Sequence, residues 1–301
     1  MPTLKQKIGV SEDHYRDINS PVASDSLDNN ESIVDDQRTM NSSSSNSSNR
    51  ALATQTKKES ARECLAEALG SYMVVLVGLG IVAQSNLSGR EPNSWALIAT
   101  GWGMAISVGI YASKHASASH LSPAVTISHA TFGKFPWSRV PQVLASQVLG
   151  SYVASLTIYV MYVAHLNPEN VSFYDDTHKF GLLFITKPHV PKLYAIITEF
   201  VTAAIVVGGI NFIIAGSTNT TYQPILIGTY VAIIGMALGI QTDYGINPAR
   251  DFGPRLMLMT ITGGSLDPFR WHDYYFWIPI VFPIAGGIFG TACYKFLYQK
   301  T

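Results

Sequence analysis

Beyond residue 63 this sequence carries little charge. The chain has 301 residues and 40 Asp, Glu, Lys and Arg side chains, and 18 of those 40 lie in residues 1–63. The remaining 238 residues therefore hold only 22. This imbalance divides the chain into a polar N-terminal tail and a long apolar part, which we consider separately.

Cysteine is scarce as well, since Cys64 and Cys293 are the only two. They fall near the outer ends of the first and last apolar segments and make no disulfide framework, so we interpret both as small apolar side chains. No Ser-His-Asp arrangement and no cluster of metal-ligating residues appears. The sequence therefore predicts no enzyme, no cofactor and no metal site.

Residues 1–61 are rich in Ser, Asn and Asp and include an uninterrupted run of Ser and Asn at 41–49. They show no apolar periodicity. Such a segment buries too little surface to offset its ordering entropy, and it lacks the apolar core of a cleavable signal peptide. We predict a disordered tail. Two interpretations stay open, a regulatory segment acted on by Ser phosphorylation and a plain solvated extension.

Six apolar runs are each long enough to cross a bilayer, which takes about 20 helical residues. This number of runs indicates an all-α membrane protein with six transmembrane helices. The predicted spans are Cys64–Gln84, Trp95–Lys114, Pro141–Ala164, Leu193–Ile214, Tyr222–Gln241 and Tyr275–Leu297.

Two shorter segments begin with the same pattern, a small polar residue followed by Pro-Ala. Ser122 precedes one and Asn247 the other, and each is a good N-cap with Pro at the first helical position. The predicted helices, 123–132 and 248–259, are too short to span a membrane. The motif residues are Ser122, Pro123, Ala124, Asn247, Pro248 and Ala249, with His120 and Asp251 beside them.

These segments divide the apolar part into two repeats, 62–165 and 192–301, joined by a loop at 166–191. Each repeat has three spans and one half-helix. An odd number of spans inverts the second repeat with respect to the first, and paired broken helices of this kind mark a channel or transporter site near the bilayer midplane.

Glu67 in span 1 and Glu199 in span 4 are the only acids well inside a span. Each costs about 2.5–3.5 kcal/mol at mid-membrane and therefore needs partners. One interpretation makes them proton-coupling carboxylates. The other makes them acceptors for backbone N–H groups of the irregular loops before the half-helices.

The basic residues Lys57, Lys58 and Arg62, together with those between spans 2 and 3, favour cytoplasmic termini. The 166–191 loop would then be extracellular, as would the glycosylation sequons at Asn86 and Asn170. At the centre, two positive helix ends and Arg250 would repel cations, while loop carbonyls would replace the water lost by a hydroxyl.

Asn-Pro-Ala-Arg-Asp-Phe-Gly-Pro-Arg, with Ser-His-Leu-Ser-Pro-Ala-Val-Thr in the first half, closely resembles the major intrinsic proteins, the aquaporins and glycerol facilitators. The resemblance covers about residues 62–299. It implies six tilted helices, two re-entrant half-helices and a homotetramer with one pore per subunit.

The resemblance also implies a constriction formed by Trp102, Gly235, Tyr244 and Arg250. Water-selective members usually place His where Gly235 stands, so a glycerol filter is favoured; Asp251, Arg255 and Pro279-Ile280 fit the same pattern. Three departures are Ser122 in place of Asn, Ala118-Ser119 in place of Gly-Ala, and Tyr244 in place of the Phe of bacterial glycerol facilitators. The Tyr244 hydroxyl is expected to narrow or polarise the filter. Trp102 as an ordinary membrane aromatic and His120 as a packed structural group stay open.

The sequence thus predicts a plasma-membrane protein that passively conducts glycerol and similar small neutral solutes, with some water. A water-selective pore and a coupled secondary transporter are the alternatives, and no nucleic-acid partner is expected.

Overall fold

The structure is a computed structural model that describes residues 27–87, 95–165, 181–217 and 219–298. The chain forms two compact units, Met1–Thr56 and Lys57–Thr301. All regular structure within the described ranges is helical. The second unit contains every segment discussed below as membrane-spanning.

Helices in the described residues follow the order that the apolar pattern predicts. Six of them are long and apolar enough to cross a membrane, so the chain is an integral, multi-pass membrane protein. The α-helices are α1 (Leu27–Leu87), α2 (Trp95–Ser113), α3 (Pro123–Thr131), α4 (Val140–Tyr162), α5 (Lys192–Gly216), α6 (Gln223–Leu238), α7 (Pro248–Ile261), α8 (Asp267–Tyr274) and α9 (Ile278–Tyr298).

The helix ends differ from the predicted ones by a few residues. The first half-helix ends one residue earlier than 132 and the second runs two residues past 259. Span 5 closes with a 3-10 turn at Gly239–Gln241. The last span is entered through α8, whose backbone is kinked at Trp271, His272 and Asp273.

In the described part of the tail, the residues from Leu27 onward belong to α1. Residues 27–61 contain neither Pro nor Gly. A helix that already exists in span 1 removes the cost of nucleation, so a polar sequence of moderate propensity can extend it. The sequence pattern of residues 27–61 shows only that a helix there has no apolar face.

Packing between the repeats is reciprocal. α3 packs against α9, the last span of the second repeat, and α7 packs against α4, the last span of the first. α2 and α6 lie close together at Gly103 and Gly228, where a Cβ on either glycine would collide with the carbonyl oxygen of the other. Glycine here lets two backbones touch. The exchange of half-helices holds the inverted repeats together.

The described end of the 166–191 connection is not a free loop. After a 3-10 turn at Gly181–Leu183, residues 184–186 are buried. The sequon residue Asn86 lies in the last turn of α1, where its amide donates to the carbonyl of Val82 at 2.8 Å. Asn170 lies outside the described residues.

Candidate functional site

The two half-helices begin as their motifs predict. The Oγ of Ser122 accepts from the N–H of Ala124 at 3.3 Å. The Oδ1 of Asn247 accepts from the N–H groups of Ala249 at 3.0 Å and Arg250 at 3.4 Å. Pro occupies the first helical position in both helices. Each cap thus satisfies donors that a helix N-terminus leaves free.

The loops before the two caps share an unusual backbone. Counting back from the cap, the third and first residues have positive φ in both loops: Ser119 and Leu121 at +52° and +54°, Tyr244 and Ile246 at +56° and +32°. Non-glycine residues in this region cost about 1–3 kcal/mol each. Left-handed residues placed this way turn successive N–H groups to one side, where they form a concave site for an anion.

A buried carboxylate occupies each concave site. The oxygens of Glu67 accept from the N–H groups of His120 and Leu121, both at 2.9 Å. The oxygens of Glu199 accept from the N–H groups of Gly245 at 3.1 Å and Ile246 at 2.8 Å. These contacts are those of the structural interpretation of the two acids, and they offset the strain in the loops.

The two loops meet each other. The amide of Asn247 donates a 2.8 Å hydrogen bond to the carbonyl of Leu121, the residue before Ser122. Ser122 and Asn247 also line one cavity. The half-helices therefore point their N-termini at a common region, as the inverted repeat requires.

Trp102 and Arg250 form one half of the predicted constriction. The guanidinium carbon of Arg250 lies 4.6 Å from the centre of a Trp102 ring, and both side chains are buried. The Nη1 of Arg250 is buried without a hydrogen-bond partner in the part of the chain that the structure describes. A buried charged donor with free N–H groups has unused capacity for an acceptor from outside the protein.

Gly235 and Tyr244 form the other half. A Cβ added to Gly235 would lie 2.8 Å from Cε1 of Tyr244 and 3.3 Å from the Cβ of Ala99. The tyrosine ring therefore fills the space that Gly235 leaves. Its hydroxyl donates to the carbonyl of Val231 at 2.8 Å, so the hydroxyl proton is already engaged within the protein.

One face of α2 joins the two halves. Ala99 faces Gly235, and Trp102, three residues later, faces Arg250. Residues three apart lie on the same face of a helix. All four residues of the predicted constriction thus stand around this face.

The four residues of the predicted constriction do not line the cavity, and neither does Asp251. It is fully buried and accepts from the backbone N–H of Thr186 at 2.9 Å and from its hydroxyl at 2.6 Å. Arg255 donates to Asp251 at 2.6 Å and also to the carbonyls of Thr186 and Pro268. This cluster fastens the connecting segment to α7. Thr186 belongs to no motif, and no sequence signal singled it out.

A cavity of about 480 Å³ extends from the two caps toward the end of α2 and the start of α6. Its wall is largely aliphatic, with Val206, Ile210 and Ile227 among the lining residues. His120 lines it as well, packed edge-on against Phe135 at 5.0 Å between ring centres. The cavity joins the caps to the side of the membrane on which span 1 begins.

Comparisons with known proteins identify the family of this chain. The family described as Major intrinsic protein matches residues 54–294. A probable glycerol uptake facilitator protein of Thermotoga maritima is 38% identical over 237 residues, covering 78% of this chain and 98% of that protein. Aquaglyceroporin-3 of Trypanosoma brucei brucei is 35% identical over 78% of both chains.

A solved structure of an aquaglyceroporin has a similar fold. The X-ray structure of the aquaglyceroporin from Plasmodium falciparum superposes with a TM-score of 0.70 at 25% sequence identity. The match covers 78% of this chain and 96% of that one.

Proposed function

This chain belongs to the major intrinsic protein family, and from that premise we propose that it is a passive channel for glycerol and other small neutral solutes, with some permeability to water. The observation that carries the proposal is the buried guanidinium of Arg250, which lies over the Trp102 ring and has an Nη1 without a hydrogen-bond partner among the described residues. Relatives named glycerol uptake facilitator and aquaglyceroporin support the same solute.

The path runs past Trp102, Tyr244 and Arg250 to the caps and then into the cavity. At the constriction, aromatic faces shield the carbon chain of a solute, while the Arg250 guanidinium donates to its hydroxyls. A hydroxyl that leaves water without such a partner loses several kcal/mol. Selectivity for polyols follows from matching both surfaces at once.

Ions are excluded on electrostatic grounds. Each half-helix carries roughly half a positive charge at its N-terminus, and Arg250 adds a full charge nearby. Glu67 and Glu199 are engaged by backbone N–H groups, so these two acids serve the loops rather than proton coupling. This favours a channel over a secondary transporter.

A water-selective pore is the second candidate. It is disfavoured by Gly235, because the space on that side is filled by an apolar ring rather than by a polar side chain. Water gains nothing from such a surface, whereas a carbon chain does.

The membrane and the assembly are also part of the proposal. The basic residues that precede span 1 and those in the connections on the same side favour cytoplasmic termini, and we place the protein in the plasma membrane. Exposed apolar side chains such as Leu149, Ile233 and Phe289 suit contact with lipid or with neighbouring subunits of a homotetramer, one pore to each subunit.

Stopped-flow light scattering on proteoliposomes tests the function. Glycerol and water permeability are measured with and without protein, and again across an imposed proton or sodium gradient. We expect glycerol flux well above that of empty liposomes and independent of either gradient. Flux that follows a gradient indicates a coupled transporter, and water flux without glycerol flux indicates a water-selective pore.

A further inference from the structure

Two histidines face each other in the wall of the cavity. The Nδ1 of His129 lies 3.0 Å from the Nε2 of His120, with ring centres 4.8 Å apart. Both side chains line the cavity. The pair stands beside the first cap, on the route that the proposed function gives to the solute.

The pair is held in place by its surroundings. His120 lies in the loop fixed by Glu67 and packs edge-on against Phe135. His129 lies in α3, two turns after the cap. The two ring nitrogens therefore keep their separation without freedom in either backbone.

We propose that His120 and His129 form a binding site for one divalent transition-metal ion, with Cu²⁺ as the best-fitting ion. Two nitrogens 3.0 Å apart, each about 2.0–2.1 Å from a shared ion, subtend roughly 90°. That angle suits the adjacent positions of a square-planar or tetragonal ion better than a tetrahedral one. Imidazole ligands in tetragonal geometry favour Cu²⁺ or Ni²⁺ over Zn²⁺.

The protonation of the two rings allows an ion to replace the proton that lies between them. In the hydrogen-bonded pair one facing nitrogen carries a proton and the other accepts it. When an ion replaces that proton, the ring takes its other neutral tautomer, with the proton on its other nitrogen, so the pair keeps its two protons. The His129 ring interacts with the side chain of Asn211, so His120 is the ring that changes tautomer. Its other nitrogen, Nδ1, is buried and has no hydrogen-bond partner among the described residues. The change of tautomer therefore breaks no further protein hydrogen bond.

The remaining positions of the ion would be filled by water from the cavity. The described residues contain no group of three or more His, Cys, Asp or Glu side chains placed to hold a metal. A site with two protein ligands binds reversibly and leaves the ion open to exchange. An ion at this point would obstruct the solute path, so binding would block transport.

The positive N-terminal end of α3 opposes a bound cation, and so does Lys134. The positive charge of Lys134 acts on His129, although the Nζ of Lys134 donates a hydrogen bond to the Oδ1 of Asn211 at 3.1 Å. Removing this charge while keeping the histidines should tighten binding. Lys134→Met thus gives a variant with an effect opposite to loss of a ligand.

Binding is measured first, by electron paramagnetic resonance of Cu²⁺ added to the purified full-length protein. We expect a spectrum with nitrogen coupling from two imidazoles, and loss of that signature in His129→Leu and His129→Gln. His115→Leu is the matched control, because His115 lines the same cavity and is exposed. A wild-type spectrum without this signature, or one unchanged in both His129 variants, overturns the site whether or not the protein conducts glycerol.

Block is measured second, with Cu²⁺ on both faces of glycerol-loaded proteoliposomes. The concentration for half block should rise at least about tenfold when His129 is replaced, since even indirect supports of a metal site are worth 10–100-fold. It should fall in Lys134→Met and stay unchanged in His115→Leu. Equal block in the wild type and the His129 variants, or loss of block in His115→Leu alone, contradicts the proposal.

Discussion

The side-chain amide of Asn247 donates a 2.8 Å hydrogen bond to the carbonyl of Leu121, and this bond ties the second half-helix to the loop before the first. The reverse bond has no equivalent in the described residues, because serine at position 122 caps its own helix and has no amide to extend toward Ile246. The two otherwise matched halves therefore differ at this point.

Ser122→Asn should restore the symmetry. Asn and Ser are about equally good N-caps, and the added amide can donate to the carbonyl of Ile246. We expect a folded protein with equal or higher glycerol flux and up to about 1 kcal/mol of added stability. Thermal unfolding and stopped-flow flux measure the two effects. Misfolding of the variant would mean that the loop has adapted to serine.

Glu67→Gln and Glu199→Gln should destabilise the loops without altering coupling to protons. An amide turns one N–H donor toward backbone donors, and each variant leaves a buried group unsatisfied at about 1–3 kcal/mol. We expect lower melting temperatures and glycerol flux that remains independent of a proton gradient. Glu59→Gln, at an exposed position in the same helix as Glu67, is the control. Wild-type flux that depends on protons and loses that dependence in either variant would support proton coupling instead.

Arg255→Met should destabilise the protein more than either of the two glutamate variants. The guanidinium neutralises the fully buried Asp251 and donates to the carbonyls of Thr186 and Pro268. Removing one partner of a buried pair costs about 3–5 kcal/mol. The yield of folded protein and its melting temperature should fall well below those of the exposed control Arg270→Met. Equal stability of the two variants would show that the cluster is not needed to hold α7.

Arg250→Ala should weaken the exclusion of ions while solute flux stays measurable. The variant removes the buried positive charge beside Trp102 but leaves both helix N-termini in place. Proton leak in proteoliposomes, followed with a pH-sensitive dye, should rise relative to the wild type. A variant as tight to protons as the wild type would remove Arg250 from the exclusion mechanism.

Most of the fold could be predicted from the sequence, because long apolar runs indicate the membrane helices and the N-cap motifs indicate the half-helices. The pairing of Glu67 and Glu199 with loops was also accessible, since a buried acid requires donors. Thr186 was not, because a short polar residue in a connection reveals no partner. The direction of the Tyr244 hydroxyl and the contact of His129 with His120 depend on three-dimensional packing that no local pattern encodes.

The helix in residues 27–61 could not be predicted from composition for a different reason. Composition reports whether a segment can form a core, but a helix that grows from an existing one needs no core of its own. Residues 27–56 belong to α1 although they show no apolar periodicity.

The central claim is that Trp102, Gly235, Tyr244 and Arg250 select for glycerol, and Gly235→His tests it most directly. The new ring would compete with Tyr244 for the space beside Gly235 and push one ring into the path, where glycerol loses both room and apolar contact while water needs neither. Ile233→His, at an exposed position of the same helix, is the control for a histidine in the membrane.

The deciding quantity is the ratio of glycerol to water permeability in proteoliposomes. We predict that Gly235→His lowers this ratio by about tenfold or more, the scale on which a pocket rejects an ill-fitting group, and that Ile233→His leaves it unchanged. An equal fall of both permeabilities, or no change in either, would contradict the assignment of the constriction as a glycerol filter.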